Sequence, residues 1–319
     1  MIESTRPASP AAFAHLRPGA LVALGHCAAN LAAFGAGLWL SWDGGPGRWL
    51  VGQLLVGFAI LHAFVLLHEA GHGTLFRQPG LNLVAGHVAG FLSLIPFRNW
   101  QRIHARHHRY TGWQDLDATT AALVPRELSA LERILVNVAW ATWLPLFAVS
   151  YRIQNFWNLP RIAQFIKRPR DLRMMRWNVA TLLALYLALL AVLGPILALR
   201  LFGLGLFFSL VAQETLILSQ HTHVPQRLSE GADARPFPPD EQEQFTRSLR
   251  LPGWLSTALL HFDAHELHHV YPQVPGYRLR EIDHVPRHEV PWLRWVRSAR
   301  RMQGTTFLFS NWDQTGVRV

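Results

Sequence analysis

The chain has 319 residues, half of them apolar by type and only 16% charged, whereas ordinary soluble domains carry about 25% charged residues. A mean hydropathy of +0.13 and 13 Trp strain a purely soluble reading and point to a lipid-embedded chain. The lone Cys27 excludes an internal disulfide and a four-cysteine zinc or iron–sulfur centre, and the net charge of +10 comes without any nucleic-acid-binding signature, so membrane topology accounts for it.

After a polar, Pro-containing start, the first apolar run is long enough to cross a hydrocarbon core of about 30 Å and too long for a signal-peptide core. It predicts a span over about 20–41, ending at the Asp43-Gly44-Gly45-Pro46-Gly47 turn. A second span over 50–67 flows directly into His68. The Gly-rich stretch 81–97 fits a short span, a re-entrant segment or an interfacial helix. Residues 131–157, with Trp interleaved among Arg and Asn, read as interfacial helix. The almost unbroken apolar run 179–218 would be about 60 Å long as one helix, twice what a bilayer needs. It must fold back between Gly194-Pro195 and Gly205, giving spans over about 177–197 and 202–220. Residues 231–239 read as a structureless loop, and the Arg-rich run from Arg294 to Arg301 as an interfacial helix.

The expected fold is a single all-α membrane domain over 1–319. About four transmembrane helices form two hairpins, with interfacial helices and a histidine-rich cap from 68–176 and 221–319. With a cytoplasmic N-terminus, only Arg48 and Arg200 of the 30 Lys and Arg lie outside, a positive-inside pattern that places the cap and both termini in the cytoplasm.

Histidine takes the place of cysteine, with 17 in the chain. They cluster as His68-x-x-x-His72, His104-x-x-His107-His108 and His265-x-x-His268-His269, with His221 and His223 just beyond the last span. Spacings of three and four put imidazoles on one helical face. One HxxxH pair is expected by chance about once in such a chain, but each HxxHH triple only about 0.05 times. Neutral imidazole binds Zn, Cu, Fe or Ni, and so many ligands exceed what one tetrahedral ion uses, so a two-metal site is the natural count. Glu69, Asp115, Asp117, Asp263 and Glu266, interleaved with the clusters, can accept the second N–H of the imidazoles. His261 lies one helical turn before the last cluster. Glu214, inside the last span and two turns before His221, is either a functional carboxylate or a structural partner for a polar neighbour. Arg98, Arg102 and Arg106 can hold a carboxylate or phosphate headgroup or act only as topology determinants. His15, His26, His284 and His288 are isolated and read as ordinary histidines; His62 and His87 lie on apolar stretches and read mainly as core.

These residues resemble the membrane fatty acid desaturases and related hydroxylases. HEAGHGTLF (68–76), NWQRIHARHHRYTG (99–112) and HFDAHELHHVYPQVPGYRL (261–279) are similar to the family's three histidine boxes, and SQHTHVP (219–225) to the short motif after the fourth span that carries a further ligand. The resemblance covers about 20–290. It implies a non-haem di-iron oxidoreductase whose two irons are held by His68, His72, His104, His107, His108, His221, His265, His268 and His269, with His223 the alternative to His221. It further implies O2 as co-substrate and a fatty acyl chain drawn from the bilayer. The chain lacks the fused cytochrome b5 domain of some members and any flavin or nicotinamide fingerprint. Electrons are therefore expected from an external ferredoxin or cytochrome with its reductase, docking on the Arg-rich face.

Desaturation is favoured over a carotenoid-type hydroxylase or ketolase and over a terminal-alkene-forming fatty acid decarboxylase, which share the boxes. Two readings from other classes remain. His68-Glu69-x-x-His72 is literally the HExxH zinc-protease motif, but it would leave both HxxHH triples without purpose. A metal transporter would place its ligands near the bilayer midplane, whereas here the clusters follow the spans.

Overall fold

The computed structural model describes Phe13 and residues 15–319, which are built almost entirely of helices. Helices α1 (Ala20–Trp42) and α2 (Pro46–His72) form the first hairpin. Pro46 opens α2, where its missing N–H goes unused, and Gly73 closes it in the left-handed conformation. Helix α3 (Pro79–Ser93) meets α4 (Phe97–Tyr110) at a bend of 100°. The stretch whose form the sequence left open is thus a 15-residue helix, about 22 Å long and too short to cross a bilayer alone.

A capping box between Ser129 and Glu132 starts α5 (Ala130–Thr142). Helix α6 (Leu146–Arg152) continues through a π-turn at Ile153–Trp157 and lies at 116° to α5; α7 (Leu159–Phe165) follows. Leu131, Ile134, Leu135, Val138, Leu144, Val149 and Ile153 are all exposed along this corner. An apolar surface of that extent is compatible with lipid and not with water.

Helix α8 (Pro169–His221) is interrupted at Gly194, whose φ of 71° and ψ of 160° leave the helix, with Pro195 opening a second limb. Gly tolerates this conformation, and Pro needs no N–H at the start of a helix. Asp171 in the first limb pairs with Arg102 of α4 at 2.9 Å, and His221 ends the second limb against His107 of the same helix at a ring distance of 4.6 Å. A straight helix of 53 residues would be about 80 Å long and could not touch α4 at both ends. The chain therefore returns on itself, and the break corrects the expected span limits: residues 195–201 belong to the second limb, because the reversal uses Gly194 alone.

At the reversal, Arg200 donates to the carbonyls of Ser41 and Gly44 at 3.1 and 3.2 Å. Gln53, a polar interruption in the second span, donates to Ser41 Oγ and the Leu201 carbonyl at 2.9 Å each and accepts from Gly205 N. One buried amide thus ties α1, α2 and α8 together at the end remote from the histidines, where interhelical hydrogen bonds contribute about 0.6–2 kcal/mol each. The apolar helices make this an integral membrane protein.

Two residues, β1 (Leu249–Arg250), then α9 (Gly253–Ala258) and α10 (His265–Val270) come next; β2 (Val290–Pro291) pairs parallel with β1. Helices α11 (Trp292–Arg300), α12 (Gly304–Phe309) and α13 (Trp312–Thr315) complete the cap. The Arg-rich run expected as an interfacial helix buries Trp295 and Ala299 in the cap, and Arg300 stacks over Trp140 and Trp143, 3.7 Å from each ring centroid.

Candidate metal centre

The two hairpins carry α2 and the second limb of α8 to the same end of the bundle, where α4 and α10 cross them. Eight imidazoles meet there in two groups, His68, His72, His104 and His268, and His107, His221, His265 and His269, each with its ligand atoms within 4.8 Å of one another. His108 adds a ninth to the first group, its Nε2 3.1 Å from Nε2 of both His104 and His268. Nε2 of His104 lies 2.9 Å from that of His72. In the second group, His265 Nε2 lies 2.8 Å from His221 Nε2 and 3.1 Å from His269 Nε2.

Helical geometry explains the division. Residues four apart differ by about 40° around an α-helix, and residues three apart by about 60° in the opposite sense. In α10, His265 and His269 turn to one group and His268 to the other; in α4, His104 and His108 turn to one group and His107 to the other. An HxxHH triple is thus a device for serving two ions from one short helix.

The donor set fits a metal pair. Lone pairs facing each other at about 3 Å repel unless a cation lies between them; a shared proton can bridge one pair, not four nitrogens. His68 Nε2 is buried and has no hydrogen-bond partner among the described residues. Burial first, then the neighbouring imidazoles, hold His265, His268 and His269 well below the ordinary histidine value, in the neutral form a metal requires.

Outer contacts aim the rings. Asp117 Oδ2 accepts from His107 Nδ1 at 2.7 Å, while its Oδ1 accepts from both N and Oγ1 of Thr119 at 2.9 Å. Burial pushes the Asp117 carboxyl up, but His107 and Thr119 outweigh it and hold the group below its usual range. Glu69 Oε1 accepts from His68 Nδ1 at 3.2 Å; its Oε2 accepts from Thr74 Oγ1 and Gly276 N at 2.9 and 2.8 Å. Each contact leaves Nε2 for the metal. These bonds commit both oxygens of Glu69, so it is not poised as the base of a zinc protease. Gln242 was not anticipated: its Oε1 accepts from His269 Nδ1 at 3.0 Å and its Nε2 donates to the His108 carbonyl at 2.8 Å. Trp100 stacks on His104, ring centroids 4.2 Å apart, and this packing requires Gly71, since a Cβ there would lie 2.1 Å from the indole.

Other expected acids face elsewhere. Asp115 accepts from Ser229; Asp263 accepts from Ser256 and Arg280; Glu266 accepts from His288 N. Their place beside the boxes in sequence does not bond them to a box imidazole: Asp115 and Asp263 lie outside the ligand helices, and Glu266, although on α10, turns to the His288 backbone. His261 meets Ser256 Oγ. His223 turns away from the metal groups to the Ser310 carbonyl and Thr315 Oγ1 at 2.7 and 2.9 Å, which leaves the position to His221. Arg102 is paired with Asp171, Arg106 donates to the Leu116 carbonyl and stacks on Tyr110, and Arg98 donates to Gln101. None of the three lines a cavity described below.

A cavity of about 40 Å³ opens against His68, His104, His107, His221 and His265. A second, of about 460 Å³, shares Thr119, Leu123, Phe147 and Tyr151 with it and runs along α6 and the π-turn that continues it, lined by Phe147, Tyr151 and Asn155. Its apolar wall comes from Leu135, Val136, Ala139, Trp140, Leu144 and Leu146. Glu214 lies at one end, accepting from Ala148 N at 3.1 Å and facing Arg300 at 3.7 Å.

The sequence model described as fatty acid desaturase matches residues 45–301. The chain is 24% identical over 233 residues to the "Omega-3 fatty acid desaturase, endoplasmic reticulum" of Vigna radiata var. radiata, covering 68% of this chain and 59% of that protein. It is 26% identical over 235 residues to the "sn-2 acyl-lipid omega-3 desaturase (ferredoxin), chloroplastic" of Helianthus annuus, covering 68% and 51%. To the "Acyl-lipid omega-3 desaturase (cytochrome b5), endoplasmic reticulum" of Arabidopsis thaliana it is 25% identical over 250 residues, covering 70% and 60%. The chain therefore spans about half to three fifths of the length of these relatives.

Proposed function

This chain belongs to the fatty acid desaturase family, and we propose that it is an O2-dependent di-iron oxidoreductase that introduces a double bond into a fatty acyl chain. The observation that carries the reading is the junction of the two imidazole groups with a cavity of about 460 Å³, within the 300–1,000 Å³ typical of ligand sites. The balance is one CH2–CH2 unit, O2, two electrons and two protons giving one CH=CH unit and two waters. When bound, a pair of irons supplies O2 activation strong enough to attack an unactivated C–H bond.

The nine imidazoles would hold the irons, and Asp117, Glu69 and Gln242 fix the orientation of three of them. Phe147 and Tyr151 form the throat through which the acyl chain reaches the smaller cavity, and the apolar wall beyond them excludes water and extends the chain. Arg48 and Arg200 at the remote end support a topology with the cap and both termini cytoplasmic. The two electrons come from a reduced partner of the ferredoxin or cytochrome class, which the names of the relatives from Helianthus annuus and Arabidopsis thaliana support.

The test is expression in a lipid-producing host with mass-spectrometric profiling of fatty acids, alkenes and carotenoids, beside the H107A and H268A variants. A new double bond in an acyl chain, absent with either variant, is the expected result. A new hydroxylated or ketolated carotenoid, or a terminal alkene, with unaltered acyl chains would overturn the reading.

A further inference from the structure

Each double bond formed at the centre takes up two protons and releases two waters, while the acyl chain itself fills the throat at Phe147 and Tyr151 and the apolar cavity behind it. A proton carried through apolar surroundings is strongly disfavoured, and water finds no partners there. The reaction therefore needs a second, polar opening to the imidazoles.

Among the described residues one cavity fits. It measures about 20 Å³ and meets the small cavity of the metal centre at Thr120, Leu123, His221 and Thr222. From the buried Thr222 its lining passes by Gln114, Gln226 and Asn311 to Gln314, which is exposed on the cap. Leu123, Leu308 and Phe309 line both this cavity and the acyl cavity, so an apolar partition separates the two. His223 fixes the outer wall, its Nδ1 donating to the Ser310 carbonyl at 2.7 Å and its Nε2 meeting Thr315 Oγ1 at 2.9 Å. It does so at a φ of 63°, a left-handed conformation that a residue with a Cβ keeps only where its surroundings enforce it.

The polar atoms of the lining can be counted. Thr222 is 6% exposed, and its hydroxyl has no hydrogen-bond partner among the described residues. The side-chain amide of Gln220, lining the small cavity, has none either. Gln114 and Gln226 commit Nε2 to the Leu123 and Phe245 carbonyls at 2.9 and 3.0 Å, which leaves each Oε1 as an acceptor. Asn311 Oδ1 accepts from the backbone N of Asp313 and Gln314 at 3.0 and 3.2 Å, which leaves Nδ2 as a donor. Neutral donors and acceptors are mixed, a lining that water satisfies and an ion does not, and about 20 Å³ holds one water.

We infer that this cavity is the water and proton inlet of the metal centre, with the Thr222 hydroxyl as the relay between its water and the small cavity. The inference rests on the oxidative reading of the centre. A hydroxyl accepts one hydrogen while donating another, so Thr222 takes a proton from the inlet water and passes its own inward without becoming charged. Two such transfers supply one double bond, and product water leaves by the same polar lining.

The first test is the structure of the metal-loaded protein at a resolution that shows ordered water. The wild type and T222S should hold a water within hydrogen-bonding distance of the residue 222 hydroxyl. T222V, which keeps the shape and removes the hydroxyl, should lose it, as should V224L, whose added methylene takes up the space. A dry cavity in the wild type, or a water unmoved in T222V, overturns the inlet. The second test is turnover in H2O and D2O with the electron donor reconstituted. T222V should lower kcat by about ten- to hundred-fold, the scale on which a positioned proton donor acts. It should also raise the solvent isotope effect and leave KM for the acyl substrate unchanged, and T222S should restore both. An unchanged kcat and isotope effect in T222V, or an equal loss in T222S, overturns the relay while the desaturase reading stands. If the wild type forms no double bond, the desaturase reading fails, and the relay fails with it whether or not the water is seen.

Discussion

Replacing Asp117 with Asn tests whether the two imidazole groups are separate metal sites. Asp117 is 2% exposed and its single ring contact is the 2.7 Å bond to His107, which belongs to the group with His221, His265 and His269. The substitution preserves shape and removes the charge that fixes and polarises this one imidazole. Loss of such an outer carboxylate costs about ten- to hundred-fold in metal affinity, or about 1.4–2.8 kcal/mol. The other group has its own carboxylate, Glu69 on His68, so only one of two bound metals should weaken. Chelator titration of purified protein, with metal content read by mass spectrometry, resolves the two. The D117N variant should release one equivalent at ten- to hundred-fold lower chelator and keep the other at its wild-type position. Both equivalents shifting together, or neither moving, would refute the partition.

The G71A variant should lose metal from the first group, because the added Cβ displaces Trp100 from its stack on His104; overpacking of this kind costs about 1–3 kcal/mol, and wild-type metal content and melting temperature would count against it. Acid should strip the centre. His265, His268 and His269 titrate well below 6.5 in the fold and near about 6.5 when unfolded, so the unfolded chain binds more protons and stability of the metal-free protein falls as pH drops below that value. Denaturant unfolding between about pH 5 and pH 8 checks this, and stability that rises on acidification contradicts it. A reporter fused after Val319 should read as cytoplasmic and one inserted at Gly45 as external; the same side for both removes the two-hairpin topology.

What the sequence revealed followed periodicity. The spans were legible because apolar runs of bilayer length have few alternatives, and the boxes because imidazoles at spacings of three and four on a helix must converge. The reversal was narrowed to a segment and realised at its first residue, since Gly194-Pro195 combines the permissive conformation with the missing donor. Gln242 stayed hidden because it comes from a short helical turn with no histidine near it in sequence. Asp115, Asp263 and Glu266 misled because closeness in sequence fixes neither where a loop points a carboxylate nor which face of α10 Glu266 takes.

Because α10 contributes to both imidazole groups, timing is built into the assembly. During synthesis α2 and α4 emerge early, and α10 only after both hairpins have been made. Until then neither group has its full ligand set, and the nascent chain passes through membrane insertion with its imidazoles separated by loops whose closure is entropically costly. Neither imidazole group is complete before α10 docks, so any metal the two groups hold gains its full set of ligands only after both hairpins are made.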